Sequence, residues 1–181
     1  MKHSNHFDTS GRQSFFVQQN FKPKIATVAK ALLFPPAVEA LGDRGAGMST
    51  EVWWSPSHPY KSGLTGESSA ELAAGYTKAT NRKWTQPLGF KHAGFEVVID
   101  VLKRAKSLDP KSIRDAIKAT NYQSIVGPVQ WTDKPMKNCA ATPLVGGQWK
   151  PAGNKKFDLV VVNNKQAPQI PVGGRFELLP G

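Results

Sequence analysis

Apolar positions along this chain change period several times, and each change marks an element. QSFFVQQN (13–20) reads as the end of a helix closed by Asn20. KIATVAKALLFP alternates and then runs apolar, which predicts a buried strand from about Lys24 to Ala29. Pro35-Pro36 opens a short helix over PAVEAL that Gly42 stops, and GDRGAG follows as a flexible turn. MSTEVWWS reads as a strand. The middle then takes a helical period. Ser68 and Glu71 form a capping-box signature at the head of SSAELAAGYTKAT. A longer helix is predicted over about Leu88 to Lys106, with Ala93, Val97, Val101 and Ala105 along one stripe. Asp109 is placed to cap the next helix, with Pro110 in its first position and Ile113, Ala116 and Ile117 turned inward. In the last third, GPVQW, PLVGGQW and FDLVVVNN are short strands between Gly, Pro and Asn turns.

Strands, helices and strands again, without strict alternation, predict an α/β chain that leaves and re-enters sheets. About two strands precede the helical middle, too few for the sheet those helices would cover. The pattern is that of a fragment of a larger fold, and it predicts exposed apolar area and, for this chain alone, marginal stability or self-association.

Composition narrows the classes. The 181 residues carry 24 Lys+Arg against 13 Asp+Glu, a net charge of +11, and 39% hydrophobic residues. Such a charge attracts anions in general, and a small basic nucleic-acid-binding module is the alternative it raises. The excess is spread along the chain, however. Its nearest approach to a cluster is Lys103, Arg104 and Lys106, at a helix C-terminal end where the dipole favours cations. Nucleic acid is therefore not the expected partner, and a salt-dependent gel shift would reverse that. An interaction domain without any ligand is a third alternative. No run is apolar and long enough to span a bilayer. The opening MKHSNHFDTSGRQSFF lacks an apolar h-region, so no signal peptide is expected in the chain as read.

Catalytic chemistry finds little support. There is no Gly-x-Ser-x-Gly elbow. The single cysteine, Cys139, lies in a turn-like KNCAATP and excludes an internal disulfide and any cysteine-cluster metal site. GDRGAG lacks the Gly-Lys-Ser/Thr ending of a phosphate loop. His3, His6, His58 and His92 have no metal-ligand spacing on one element, and no cofactor or metal is expected. Glu96 and Asp100 lie four apart and read as partners of nearby bases, Asp100 with Arg104. The chain is expected not to be an enzyme.

The aromatics offer more. On one strand Trp53 and Trp54 would project to opposite faces, so one would face a cleft and the other would pack. Trp84, Trp131 and Trp149 read as packing residues. His92 suits either a helix surface or a cleft. A tryptophan beside a cleft supplies an apolar wall and an indole N–H donor, suited to a small organic ligand.

Two long stretches resemble one family. FKPKIATVAKALLFPPAVEALGDRGAGMSTEVWWSPSHPYKSGLTGESSAELAAGY and QPLGFKHAGFEVVIDVLKRAKSLDPKSIRDAIKATNYQSIVGPVQW, with PLVGGQW as a late strand, are similar to the periplasmic solute-binding proteins of the branched-chain amino-acid (Leu/Ile/Val) type that feed ABC importers. The similarity runs from Phe21 to about Ile170. It implies an incomplete type I binding-protein fold, with parts of two three-layer α/β/α lobes joined by crossing segments and closing on ligand like a clam. Met48 to Pro56 resembles the second crossing and about Lys137 to Leu144 the third. Residues 1–53 and 138–181 would then belong to the C-terminal lobe and 54–137 to the N-terminal lobe, whose opening βα units are absent. The resemblance further implies a periplasmic location, an ABC permease as partner, and as ligand an amino acid, an amide, a urea-like solute or an aromatic acid. By position it leaves an aromatic wall as the ligand site: Trp53 or Trp54, His92 and Phe95, with Tyr60 as a weaker candidate.

Overall fold

In a computed structural model that describes residues 21–132 and 136–179, the chain forms two compact units. Among the described residues, one comprises 21–51, Gly146–Asn163 and 172–179, the other 52–132 and 136–145 with Asn164–Pro171. The helix expected at 13–20 lies outside the described residues, as do His3 and His6.

The first unit is built on a three-stranded sheet. Its strands are β1 (Ser49–Val52), β4 (Val145–Pro151) and β5 (Phe157–Asn163), in the order β1-β4-β5. β4 and β5 pair antiparallel from Gly146↔Asn163 to Pro151↔Phe157, with a register shift at Gly146/Gly147. The strand expected over Lys24–Ala29 is reduced to one parallel bridge between Thr27 and Ser49. The chain then turns through a 3₁₀ segment, Lys30–Leu32. An unbroken apolar run does not separate a strand from a helical turn by period alone. Here the turn prevails because it buries Leu32 and Leu33 and aims the Leu32 carbonyl at the Trp149 indole N–H, 2.9 Å away. Pro35–Glu39 forms the short helix α1, and the turn expected over GDRGAG is 3₁₀ from Gly42 to Gly45. The core of this unit is Leu32, Val38, Met48, Trp149 and Phe157.

The second unit holds the longer helices α2 (Ser69–Thr80), α3 (Pro87–Arg104) and α4 (Pro110–Lys118). α2 starts where the capping box places it. The Ser68 hydroxyl accepts from Glu71 N–H at 3.2 Å and the Glu71 carboxylate accepts from Ser68 N–H at 2.8 Å. At α4 the Asp109 carboxylate accepts from Lys111 N–H and Ser112 N–H with Pro110 in the first turn. Arg104 and Asp100 pair at 2.7 Å, as their spacing predicts. A strand that the sequence pattern does not reveal, β2 (Asn121–Ser124), forms an antiparallel hairpin with β3 (Gly127–Gln130).

Two expectations about burial are corrected. Ile117 is not turned inward but 44% exposed, while its neighbour Ala116 is buried. On α3, Ala93 and Val101 are buried as expected, yet the same helix leaves Phe95, Val98 and Leu102 70%, 55% and 45% exposed. These three lie at i, i+3 and i+7, a second apolar stripe on one helix. The unit's core is Trp54, Ala73, Ala93, Ile125 and Val126. Among the described residues no helix is long and apolar enough to cross a membrane.

Candidate solute-binding residues

β1 ends at Val52, so the two tryptophans lie beyond the strand and its alternation does not govern them. Trp53 is held by its backbone: its N–H donates to Gln86 Oε1 at 2.8 Å. Its ring remains half-buried and meets Phe90 edge-on, with centroids 5.6 Å apart. Trp54 is wholly buried. Its indole N–H donates to the Ser69 hydroxyl at 3.2 Å, and its ring stands edge-on to Trp84. The ring also occupies the space above Gly89, where a Cβ would lie 2.3 Å from two indole carbons. As a ligand contact Trp54 is therefore a correction. Its surface is spent on the core and its single donor on Ser69, and the ring left with open surface is Trp53.

His92 and Ser62 meet in a network that the sequence pattern does not reveal. The Ser62 hydroxyl donates to Glu96 Oε1 at 2.8 Å, and Glu96 Oε2 accepts from Ile125 N–H at 3.0 Å. His92 Nε2 lies 3.0 Å from the Ser62 oxygen. With the serine's proton committed to the carboxylate, the imidazole is the donor of that bond. The Leu64 and Thr65 amides converge on the same oxygen, at 3.3 and 3.1 Å. Glu96 is 1% exposed and is no partner of a surface base. It is a buried carboxylate held by a hydroxyl and a backbone amide, a donor set that helps offset the cost of burying charge. Burial first, and then the Glu96 charge, push the Tyr122 phenol up from its usual value.

Tyr60 is partly buried. It closes over Gly127, whose φ is +104° and where a Cβ would lie 3.2 Å from the phenol ring. Its oxygen accepts from Gln169 Nε2 at 2.8 Å. Phe95 belongs to the exposed stripe of α3 with Val98 and Leu102.

The turn that follows the tryptophans carries a further group. Ser55 N–H donates to His58 Nδ1 at 3.1 Å and the Ser55 hydroxyl lies 2.9 Å from the same nitrogen. That hydroxyl also bonds Ser57 Oγ at 2.8 Å. His58 is 3% exposed, and its Nε2 is buried with no hydrogen-bond partner. Burial is the main cause that lowers its pKa to about 4. The unfolded histidine, near 6.5, takes up a proton first as pH falls, so stability is full above about pH 6.5 and is lost toward pH 4. The loss expected from this residue is about 3 kcal/mol. Urea unfolding at pH 7 and pH 4 should show that difference between the parent chain and His58→Asn, which does not titrate. Equal acid loss in both chains would contradict it.

Among the described residues no group of three or more His, Cys, Asp or Glu side chains could hold a metal ion. Taken together, the elements and the side chains at the start of the second unit define an α/β protein whose open groups are aromatic and hydrogen-bonding.

The sequence of residues 16–155 matches the family model described as periplasmic binding protein, and the chain belongs to that family. Solved structures share its fold at low identity. A leucine-binding protein from Thermotoga maritima MSB8 is 17% identical with a TM-score of 0.59, covering 90% of this chain and 50% of that one. An ABC-type branched-chain amino-acid transporter protein from Rhodopseudomonas palustris CGA009 is 16% identical with a TM-score of 0.60, covering 95% of this chain and 44% of that one. An ABC-transporter solute-binding protein from Rhodopseudomonas palustris BisB5, in complex with 3,4-dihydroxybenzoic acid, is 16% identical with a TM-score of 0.60, covering 83% and 40%. The fold is thus part of a type I periplasmic binding protein, and the chain spans half or less of the length of each of these structures. No curated protein sequence matches it.

Proposed function

We propose that this chain is part of the substrate-binding component of an ABC importer and serves to bind a small organic solute, an amino acid or related organic acid, without catalysis. The observation that carries this reading is the family match over residues 16–155. The leucine-binding relative and the relative solved with a dihydroxybenzoic acid support a solute that bears a carboxylate. In this reading the protein works in the periplasm beside an ABC permease. The unit of Val52–Val145 belongs to the N-terminal lobe of the type I fold and the unit around β1, β4 and β5 to the C-terminal lobe. Trp53, His92 and Tyr60 are the solute-facing side chains, with Trp53 as apolar wall and His92 and Tyr60 as polar groups held by Ser62 and Gln169. Thermal unfolding with L-leucine, L-valine, an aliphatic amide and 3,4-dihydroxybenzoate tests it. A solute at about 100 times its dissociation constant should raise the midpoint by about 5–10 °C. No shift with any of them, beside a salt-dependent shift with duplex DNA, would replace this reading with the nucleic-acid one.

The same reading assigns the exposed stripe of α3. A chain with about half the length of its structural relatives lacks part of the fold, and Phe95, Val98 and Leu102 are apolar side chains left for that part to cover. The chain alone is expected to self-associate through this face. Light scattering should give more than the 19.7 kDa of one chain, and Phe95→Glu with Leu102→Glu should return it to a monomer. A compact monomer of the parent chain would contradict the assignment.

A further inference from the structure

We infer that the buried Nε2–H of His58 is a hydrogen-bond donor to the bound solute, and that the group it holds is a carboxylate oxygen. The inference rests on the solute-binding reading and adds to it a specific contact that the aromatic wall does not contain.

The tautomer follows from geometry. A backbone N–H can only donate, so the Ser55 amide 3.1 Å from His58 Nδ1 makes that nitrogen an acceptor. A neutral imidazole then carries its proton on Nε2. That N–H is buried in a side chain 3% exposed, and no acceptor for it exists among the described residues. Buried donors in native proteins nearly always have partners, and an exception calls for an explanation, such as a functional role or an ordered water. The ring is also firmly held. Nδ1 is fixed by two contacts from Ser55, the Ser55 hydroxyl is tied to Ser57, and the His58 N–H donates back to the Ser55 carbonyl at 3.0 Å. A side chain fixed at one nitrogen and left unpartnered at the other, buried one is a preorganised donor. On its far side the ring neighbours Tyr60, centroids 6.3 Å apart, and Tyr60 is itself held by Gln169.

The charge state selects the acceptor. Burial keeps His58 neutral at pH 7, its pKa lowered to about 4. The site offers an uncharged donor shielded from water, and an anionic oxygen makes the strongest bond to such a donor. A carbonyl or hydroxyl oxygen would bind it more weakly.

The test uses the full chain labelled with ¹⁵N-histidine, whose four histidines give separable imidazole signals. L-leucine and 3,4-dihydroxybenzoate are the probes, and their uncharged analogues leucinamide and 3,4-dihydroxybenzamide are the controls. A probe that binds should move the His58 Hε2 signal downfield, and its carboxamide should move it less. His58→Asn keeps an acceptor for the Ser55 amide but loses the distal donor, and should weaken binding about ten- to hundredfold. His58→Gln places an amide N–H near the lost Nε2–H and should recover part of that loss. A probe that binds with the His58 signal unmoved, or equally tightly to His58→Asn, overturns the contact and leaves solute binding standing. The contact is likewise overturned if Hε2 is held by an internal water whether or not the probe is bound. Equal response to acid and amide overturns the carboxylate assignment. If neither probe binds, the solute-binding reading fails, and the contact falls with it.

Discussion

Trp54→Ala is expected to destabilise the second unit by about 3–5 kcal/mol, the usual cost of emptying a buried aromatic site. The ring is fully buried, and three different contacts fix it: the hydrogen bond to Ser69, the edge of Trp84, and the bare backbone of Gly89. Glycine inside a helix costs about 1 kcal/mol relative to alanine, so Gly89→Ala would ordinarily stabilise α3. Here the new Cβ would fall 2.3 Å from the indole. Gly89→Ala should therefore destabilise the parent chain by about 1–3 kcal/mol through overpacking. In the Trp54→Ala background the same change should become neutral or stabilising, because the obstructing ring is gone. Urea unfolding of the four chains of this cycle gives the coupling directly. A cost for Gly89→Ala that is the same in both backgrounds would show that the indole does not lie on that glycine.

The second large effect belongs to Glu96. Glu96→Ala removes the acceptor of two buried donors, the Ser62 hydroxyl and the Ile125 amide. Each orphaned donor costs about 1–3 kcal/mol, so the expected loss is about 2–6 kcal/mol. Glu96→Gln should fall short of a rescue. One amide oxygen replaces two carboxylate oxygens, and the amide NH₂ then faces a donor. The Ser62 oxygen cannot readily turn to accept, since Leu64, Thr65 and His92 already converge on it. Urea unfolding is the readout, with the imidazole signal of His92 as a local one. That signal should shift in Glu96→Gln while the chain remains folded. If Glu96→Gln matched the parent in stability and in the His92 signal, the carboxylate would not organise this network.

What can be read from the sequence is what is encoded locally. The Ser68–Glu71 box and the Asp109-Pro110 start depend on residues three or fewer apart, and both caps form as their spacing dictates. The periplasmic binding protein family is legible for the same reason, in the order of such local signals along the chain. Glu96 is not legible. Its partners Ser62 and Ile125 lie 34 and 29 residues away, and a glutamate four before Asp100 on an amphipathic helix reads as surface until those partners arrive. The tryptophan pair invites an alternation that ceases at Val52, and Gly89 is the one clue to which ring packs, an apolar-side glycine in a helix opposite a ring of unknown address. β2 escapes because NYQS carries no apolar alternation. It pairs because the tight return at Ser124–Gly127, closed by the Ser124 hydroxyl on the Gly127 carbonyl at 2.7 Å, brings it against β3. His58, in a Pro-Ser-His-Pro stretch, reads as an ordinary turn residue. Only its burial separates a turn histidine from a held donor.

Equilibrium dialysis of the chain against radiolabelled L-leucine and 3,4-dihydroxybenzoate is the most direct test of the central claim. A periplasmic-type binding protein should retain one of them at a single saturable site, competed by its unlabelled form and weakened in His58→Asn. Retention of neither, by a chain shown to be folded by cooperative urea unfolding, would contradict solute binding by this chain.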